Sequence, residues 1–488
     1  MGQLYPWKTS IPLDKENSQP LYLQIVDALV REIVSGRLAP GYKMPGTRYL
    51  ADLLEINRKT LVIAYDELMA QGWLEVLPAK GTFVSKNLPK LRPAALEDAH
   101  TKNCLPVKAR FVVEAVAPIS PSKKKIAVRI TDGSPDVRLA PTAELYRWCR
   151  RVAEAPASLR YQDEQGDPHL REVLAEYLRN TRGVVCQPEQ LLITRGSQMG
   201  IFLTFKTLLR PGDTVVVGEV NYPEANRVID ICQGQRQEVP VDEQGLSVDA
   251  VEEICRRQPV RALYITSHHY YPTTVTLSID RRMKLLALAQ QYRFLIVEDD
   301  YDYDFHYASN PMLPLASLDT QGCVVYLGSF TKCIAPAIRV GYLAAPTNVI
   351  QALTPYRRLV DRQGDPVLER ALAHWIEEGA LQRHLKKSLR TYRERRDALS
   401  QYLQEHLSDI LSFREPEGGM ATWVRCNSEL DVLALADYTA SRGVSLEGVD
   451  HWQAYRGIRL GFASLTPEEM TQGMNIFQEG VEKISAKK

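Results

Sequence analysis

From about Thr131 onward, short apolar runs alternate with stretches of helical period: LLIT runs into RGSQMGIFLTF, TVVVG into EVNYP, and FLIVED and VVYLG recur further on. Strands that alternate with helices cannot pair as hairpins, so this pattern selects an α/β domain built on a largely parallel sheet. The chain has 488 residues, 45% of them hydrophobic, enough for a large core in two or three domains. No apolar run approaches the roughly 20 residues of a membrane span. The amino terminus, MGQLYPWKTSIPLDKENS, lacks the basic-then-apolar pattern of a secretory signal, and a cytoplasmic protein is expected. The eight cysteines are scattered, with no CxxC and no His/Cys cluster at ligand spacing, so reduced thiols and no metal are expected.

Directly after VVYLG comes SFTKCIAPAIRVGY. Lys332 stands there among Ile334, Ala335, Pro336 and Ala337, whose desolvation would lower its pKa and free the amine to condense with an aldehyde. Ser329 offers a hydroxyl and Arg339 a planar bidentate fork to a phosphate. Pyridoxal phosphate is an aldehyde that carries one. A second anion site is legible where LLITR turns into a helix through Gly196, Ser197 and Gln198, since free amides and the Ser197 hydroxyl would face a phosphate there. The acidic cluster in FLIVEDDYDYDF, read alone, also suits a solvated strand end.

Between about Gln19 and Lys86 the pattern changes. Ile25, Ala28, Leu29 and Ile33 mark a helix that stops at Gly36. Thr47 can cap a short helix holding Leu50, Ala51 and Leu54, and Asn57 a third running through Leu61, Ala64, Tyr65 and Leu68. WLEV and TFVS, separated by LPAKG, read as a two-stranded wing. Arg58, Lys59 and Thr60 fall in the first turn of the third helix, where side chains reach base edges if that helix enters a major groove. Arg48, Lys80 and Gly81 add contacts to phosphate. Eight basic against seven acidic residues over this stretch leave a modest electrostatic footprint, and pattern alone also admits a small structural appendage.

The order PLYLQIVDALVREIVSGRLAPGYKMPGTRYLADLLEINRKTLVIAYDELMAQGWLEVLPAKGTFV resembles the winged helix of the GntR regulators nearly end to end. That resemblance implies DNA contacts at Arg48, at Arg58, Lys59 and Thr60, and at Gly81. The later segments are similar to fold-type I enzymes of the aspartate aminotransferase group. The resemblance implies Lys332 as the Schiff-base lysine and Asp299 as the partner of the protonated ring nitrogen. It places Tyr301 against the ring hydroxyl and Tyr222 on the ring face. Ser197, Gln198, Ser329 and Arg339 would sit around the phosphate, and Arg459 would hold a substrate or effector carboxylate. The segment that normally ends in Asn-Pro-Thr-Gly reads Tyr271-Pro272-Thr273-Thr274 here, which puts ordinary transaminase geometry in doubt; His268 and His269 before it could line the pocket.

Together these features resemble the MocR/GabR group of bacterial transcription regulators. The implied fold is a multi-domain one: a winged helix-turn-helix domain (α+β, residues 18–86), a linker (87–129), and an α/β fold-type I aminotransferase-like domain (130–488) with a small carboxyl-terminal α+β subdomain. The implied function is transcription regulation through promoter DNA with paired half-sites. A homodimer would sense an amine or amino acid as an external aldimine that releases Lys332. The alternative is a working aminotransferase with an accessory DNA-binding domain.

Overall fold

The computed structural model describes residues 5–89, 126–307, 312–426, 430–449 and 457–485. They fall into two compact units, 1–120 and 121–488.

In the first unit, helix Leu21–Val34 buries Ile25, Ala28, Leu29 and Ile33 along one face and ends at Gly36, whose φ of +77° suits a glycine after a helix. Helices Thr47–Leu54 and Arg58–Ala70 follow. Asn57 caps the latter as expected, its side chain accepting the Lys59 N–H at 2.8 Å. Thr47 does not cap the former: Gly46 holds the cap position, and Thr47 is the first helical residue, which leaves that end without a side-chain acceptor. Strands Leu74–Leu77 and Gly81–Val84 pair antiparallel as the wing. One part of this core lies upstream of residue 18. A single turn, Trp7–Ser10, buries Trp7 and Ile11 against the three helices, and Tyr5 bonds Glu32, which Arg37 also grips through Nε at 2.7 Å and Nη2 at 2.6 Å. A four-residue helix is too short to show a period, so sequence pattern passes over it.

The second unit is built on a seven-stranded sheet in the order Leu191–Thr194, Gly341–Ala344, Val324–Ser329, Leu295–Asp299, Ala262–Ile265, Thr214–Gly218, Gln235–Val239. Gly341–Ala344 runs antiparallel to both neighbours and the other strands are mutually parallel. Buried Val, Ile and Leu on both faces explain why the strands read as continuous apolar runs. The parallel strands therefore all end at one edge, where a ligand site in such sheets is formed.

A smaller sheet, Leu411–Phe413, Ala421–Cys426 and Gly457–Gly461, follows the 27-residue helix Ala380–His406. Val444–Leu446 pairs parallel with Val128–Ile130, so the start of this unit is stitched to its carboxyl-terminal part. Residues 90–125, most of the expected linker, lie outside the described residues; Val128 and Arg129 are already in a strand. Among the described residues no helix is long and apolar enough to cross a membrane.

Candidate functional site

The ends of five parallel strands converge on a cavity of about 220 Å³ lined by Asp132, Ser197, Tyr222, Tyr264, Thr266, Tyr271, Asp299, Tyr301 and Lys332. Lys332 sits in the short helix Phe330–Cys333 that closes strand Val324–Ser329. Its Nζ donates to the Gly133 carbonyl at 2.8 Å, and burial lowers its pKa, as its apolar neighbours suggested.

Asp299 ends the adjacent strand and is almost wholly buried. The Tyr264 hydroxyl donates to its Oδ2 at 2.9 Å, while Oδ1 has no hydrogen-bond partner. Burial pushes its pKa up to about 7, with the Tyr264 and Ser197 hydroxyls pulling the other way. A buried carboxylate oxygen without a donor is costly unless something supplies one. A protonated pyridine nitrogen does so, and this orphaned oxygen, in the same cavity as the Lys332 amine, shows that the residues fit pyridoxal phosphate.

At the turn expected to face a phosphate, two backbones approach closely. Gly196 precedes helix Ser197–Leu208 with φ +79°, and a Cβ there would lie 3.0 Å from Arg339 Nη2. That Arg339 nitrogen donates to the Arg195 carbonyl at 2.8 Å, and Nη1 lies 3.4 Å from Thr331 Oγ1. Gly341 is needed for the same reason, since a Cβ on it would come within 2.7 Å of the Gly196 backbone. Ser329 is buried and accepts the Thr331 N–H at 3.1 Å; Gln198 is half-buried and its enclosed Oε1 has no partner.

Tyr222 meets Tyr271 edge-on, ring centroids 5.4 Å apart. Tyr301 donates to the His269 carbonyl at 3.1 Å. Arg459 is buried one layer behind the lining: Nε donates to the Asp132 carbonyl at 2.7 Å, Nη1 to the Pro272 carbonyl at 2.8 Å and Nη2 to the Tyr301 hydroxyl at 3.1 Å. Its guanidinium faces the Tyr271 ring at 5.0 Å. All three acceptors are neutral, so the positive charge is without a direct anion partner in these bonds. His268 and His269 do not line the cavity. They are buried, and His269 Nδ1 bonds Asp302 at 2.8 Å. Thr274 takes φ +61°, the left-handed conformation that explains why glycine is usual at this place and that a β-branched residue adopts at a cost.

Tyr264, Asp132, Gly133, Thr266 and Thr331 were missed by sequence reasoning. Tyr264 reads as one more apolar strand residue in ALYI, and Asp132 reaches the cavity only because Val128–Ile130 is sewn to Val444–Leu446. The tyrosine in an otherwise aliphatic strand was the available signal.

In the first unit, Arg48, Arg58 and Lys59 are exposed with no ion-pair partner among the described residues, Thr60 is half-exposed, and Gly81 stands exposed at the wing turn with φ +110°. The third helix thus offers a cationic, unpaired first turn.

The aminotransferase class I and II family matches residues 135–477, and the bacterial regulatory proteins of the gntR family match residues 21–84. Across the whole chain, the HTH-type transcriptional regulator TauR of Rhodobacter capsulatus is 30% identical over 91% of this chain and 92% of its own. The chain belongs to the MocR-type bacterial transcription regulators. The probable rhizopine catabolism regulatory protein MocR of Rhizobium meliloti is 28% identical, covering 95% of this chain and 94% of its own. Among solved structures, the kynurenine aminotransferase of Pyrococcus horikoshii, in complex with PMP, is 27% identical with a TM-score of 0.69 over 74% of this chain and 92% of that one. The regulator's cofactor is therefore pyridoxal phosphate, and its gntR-type domain binds DNA.

Proposed function

We propose that this regulator senses a primary amine or amino acid at the Lys332 cavity and passes the result to its DNA-binding domain. When bound, pyridoxal phosphate supplies an aldehyde that condenses with primary amines, that of Lys332 or that of an effector. Every other part is played by the chain. Lys332, its pKa lowered by burial, gives up its proton more readily than an exposed lysine and takes up or gives up a proton at Nζ. Asp299 Oδ1 accepts from the ring nitrogen and Tyr264 holds the carboxylate in place. Tyr301 meets the ring hydroxyl and Tyr222 covers the ring. The turn at Ser197 and Gln198, with Arg339 and Ser329, receives the phosphate. Arg459, charged and bonded only to neutral oxygens, receives an effector carboxylate once Tyr271 moves aside. Release of Lys332 returns its free amine to the Gly133 carbonyl, the acceptor it holds in this structure, and so ties down the loop that carries Asp132.

Arg48, Arg58, Lys59, Thr60 and Gly81 contact DNA. The reading includes a cytoplasmic homodimer on paired half-sites, with residues 18–86 reading DNA, 87–129 linking and 130–488 sensing. The observation that carries the sensing role is the pairing of an orphaned Asp299 oxygen with a desolvated Lys332 in one cavity of a chain that resembles regulators along its whole length.

A second reading, turnover as an aminotransferase, draws on the same lysine and on the 27% identity to aromatic-amino-acid aminotransferase 1 of Thermococcus litoralis. Incubation of the loaded protein with an amino donor and an oxo acid separates them. Sensing predicts a spectral change with each donor but no continuing product formation. Sustained turnover at an ordinary enzymatic rate overturns it.

A further inference from the structure

Two H-x-x-E pairs from separate parts of the sequence meet on the surface of the second unit, on residues that take no part in the cofactor cavity. His169 lies in the first turn of helix Pro168–Arg182 with Glu172 three residues on, and His374 and Glu377 lie in the last turn of helix Pro366–Glu377, which packs against it. Both histidines aim a ring nitrogen at one oxygen: Glu377 Oε2 is 3.0 Å from His169 Nε2 and 3.4 Å from His374 Nδ1. One ligand atom from each of the three residues lies within 4.8 Å of the other two.

Zinc-class ions bond imidazole nitrogen and carboxylate oxygen at about 2.0–2.2 Å in a tetrahedron whose corners are roughly 3.3 Å apart. These two separations match such an edge, and the histidine–histidine side lies within 4.8 Å. The rings are also held from behind. Glu172 Oε2 stands 3.8 Å from His169 Nδ1, beyond hydrogen-bond distance, and a small side-chain rotation would let it accept the Nδ1–H and leave Nε2 for a metal. Trp148 stacks on His374 at 4.6 Å and 22°, and is itself anchored by an N–H donated to Glu378 at 3.1 Å. Of the nearby cations, Arg151 covers the Trp148 ring and Arg370 is engaged by Asp167.

We propose that His169, His374 and Glu377 bind one divalent ion of the zinc class (Zn²⁺, Ni²⁺, Co²⁺ or Cu²⁺), with water completing the shell and Glu172 as a positioning residue. Two imidazoles and a single carboxylate favour these ions over Mg²⁺ and Ca²⁺, which take oxygen ligands. The bound ion would clamp the start of one helix to the end of another. The residues lie too far apart in sequence for any spacing motif to show them together.

The test is calorimetric titration of the full-length, cofactor-loaded, chelator-treated protein with Zn²⁺ and with Ni²⁺, beside thermal melts with and without metal. The site predicts one saturable ion per chain and a melting temperature raised by metal. His374→Ala should weaken binding at least about tenfold, His169→Ala/His374→Ala should abolish it, and Glu172→Gln should weaken it about 10- to 100-fold without touching a ligand. Excess Mg²⁺ should not compete. Saturable binding unchanged in the double variant would place the ion elsewhere, on the cysteines for instance, and overturn the proposal. So would the absence of saturable binding in the wild type, which would leave a His–Glu ion pair only. Should the double variant melt lower without metal, Glu172→Gln still decides: unaltered affinity there contradicts the site.

Discussion

Asp299→Asn should move cofactor affinity and apo stability in opposite directions. In the cofactor-free protein Asp299 titrates near pH 7, against an ordinary value of 3.8, because it is buried with one oxygen unpaired. Between those two values the folded state holds a proton that the unfolded state has lost. Stability therefore falls as pH rises from about 4 to about 7, and stays low above that. Roughly three units at ~1.4 kcal/mol each set an upper bound of about 4 kcal/mol for this loss. The asparagine keeps an acceptor for Tyr264 and removes the charge, so at pH 8 the apo variant should be more stable than wild type by up to that amount, and the gap should close toward pH 4. With cofactor the sign reverses. A bond from a protonated ring nitrogen to a carboxylate contributes about 1.5–3 kcal/mol, and its loss should weaken binding about 10- to 100-fold. Urea denaturation of stripped protein at pH 5 and pH 8, beside a spectroscopic cofactor titration, reads both effects. Equal pH dependence of wild type and variant, or unchanged cofactor affinity, would refute the role given to Oδ1.

Lys332→Ala should abolish covalent attachment and the yellow colour of the purified protein while circular dichroism stays unchanged; retained covalent cofactor by mass spectrometry would exclude this lysine. Arg48→Ala and Arg58→Ala should each weaken binding to the protein's own promoter region and flatten its salt dependence by about one unit of slope for each phosphate no longer neutralised, with cofactor content unaltered. Arg459→Ala should weaken an amino-acid effector at least about tenfold and leave a simple alkylamine nearly unaffected, since only the former brings a carboxylate. Equal weakening of both ligands would make Arg459 a support for Tyr301 and the Asp132 loop and nothing more.

What could be read from the sequence was local. Lys332 stands out because its apolar neighbours follow it directly, and the Gly196-Ser197 turn because strand and helix abut there. Asn57 is legible as a cap since capping is decided within three residues, whereas at Thr47 the backbone turned one residue earlier than side-chain preference suggested. Tyr264 and Asp132 were hidden for the opposite reason: one depends on which face of a wholly buried strand meets Asp299, the other on a parallel pairing between strands from opposite ends of the unit. Arg459 was found by resemblance, yet its partners in the structure, two carbonyls and a hydroxyl, could not have been named from sequence. Nor could spacing show why Thr274 is unusual; that takes its backbone φ of +61°.

The central claim is that occupancy of the Lys332 cavity alters DNA binding. The direct measurement is fluorescence anisotropy of a labelled promoter fragment titrated with the cofactor-loaded protein, repeated across a panel of amino acids and amines whose spectral change is recorded in the same samples. The account predicts that compounds changing the cofactor spectrum include one that shifts DNA affinity, and that Lys332→Ala, which folds and binds DNA, loses this shift. An equal shift in Lys332→Ala would contradict it, as would a panel in which spectral change and DNA affinity never move together.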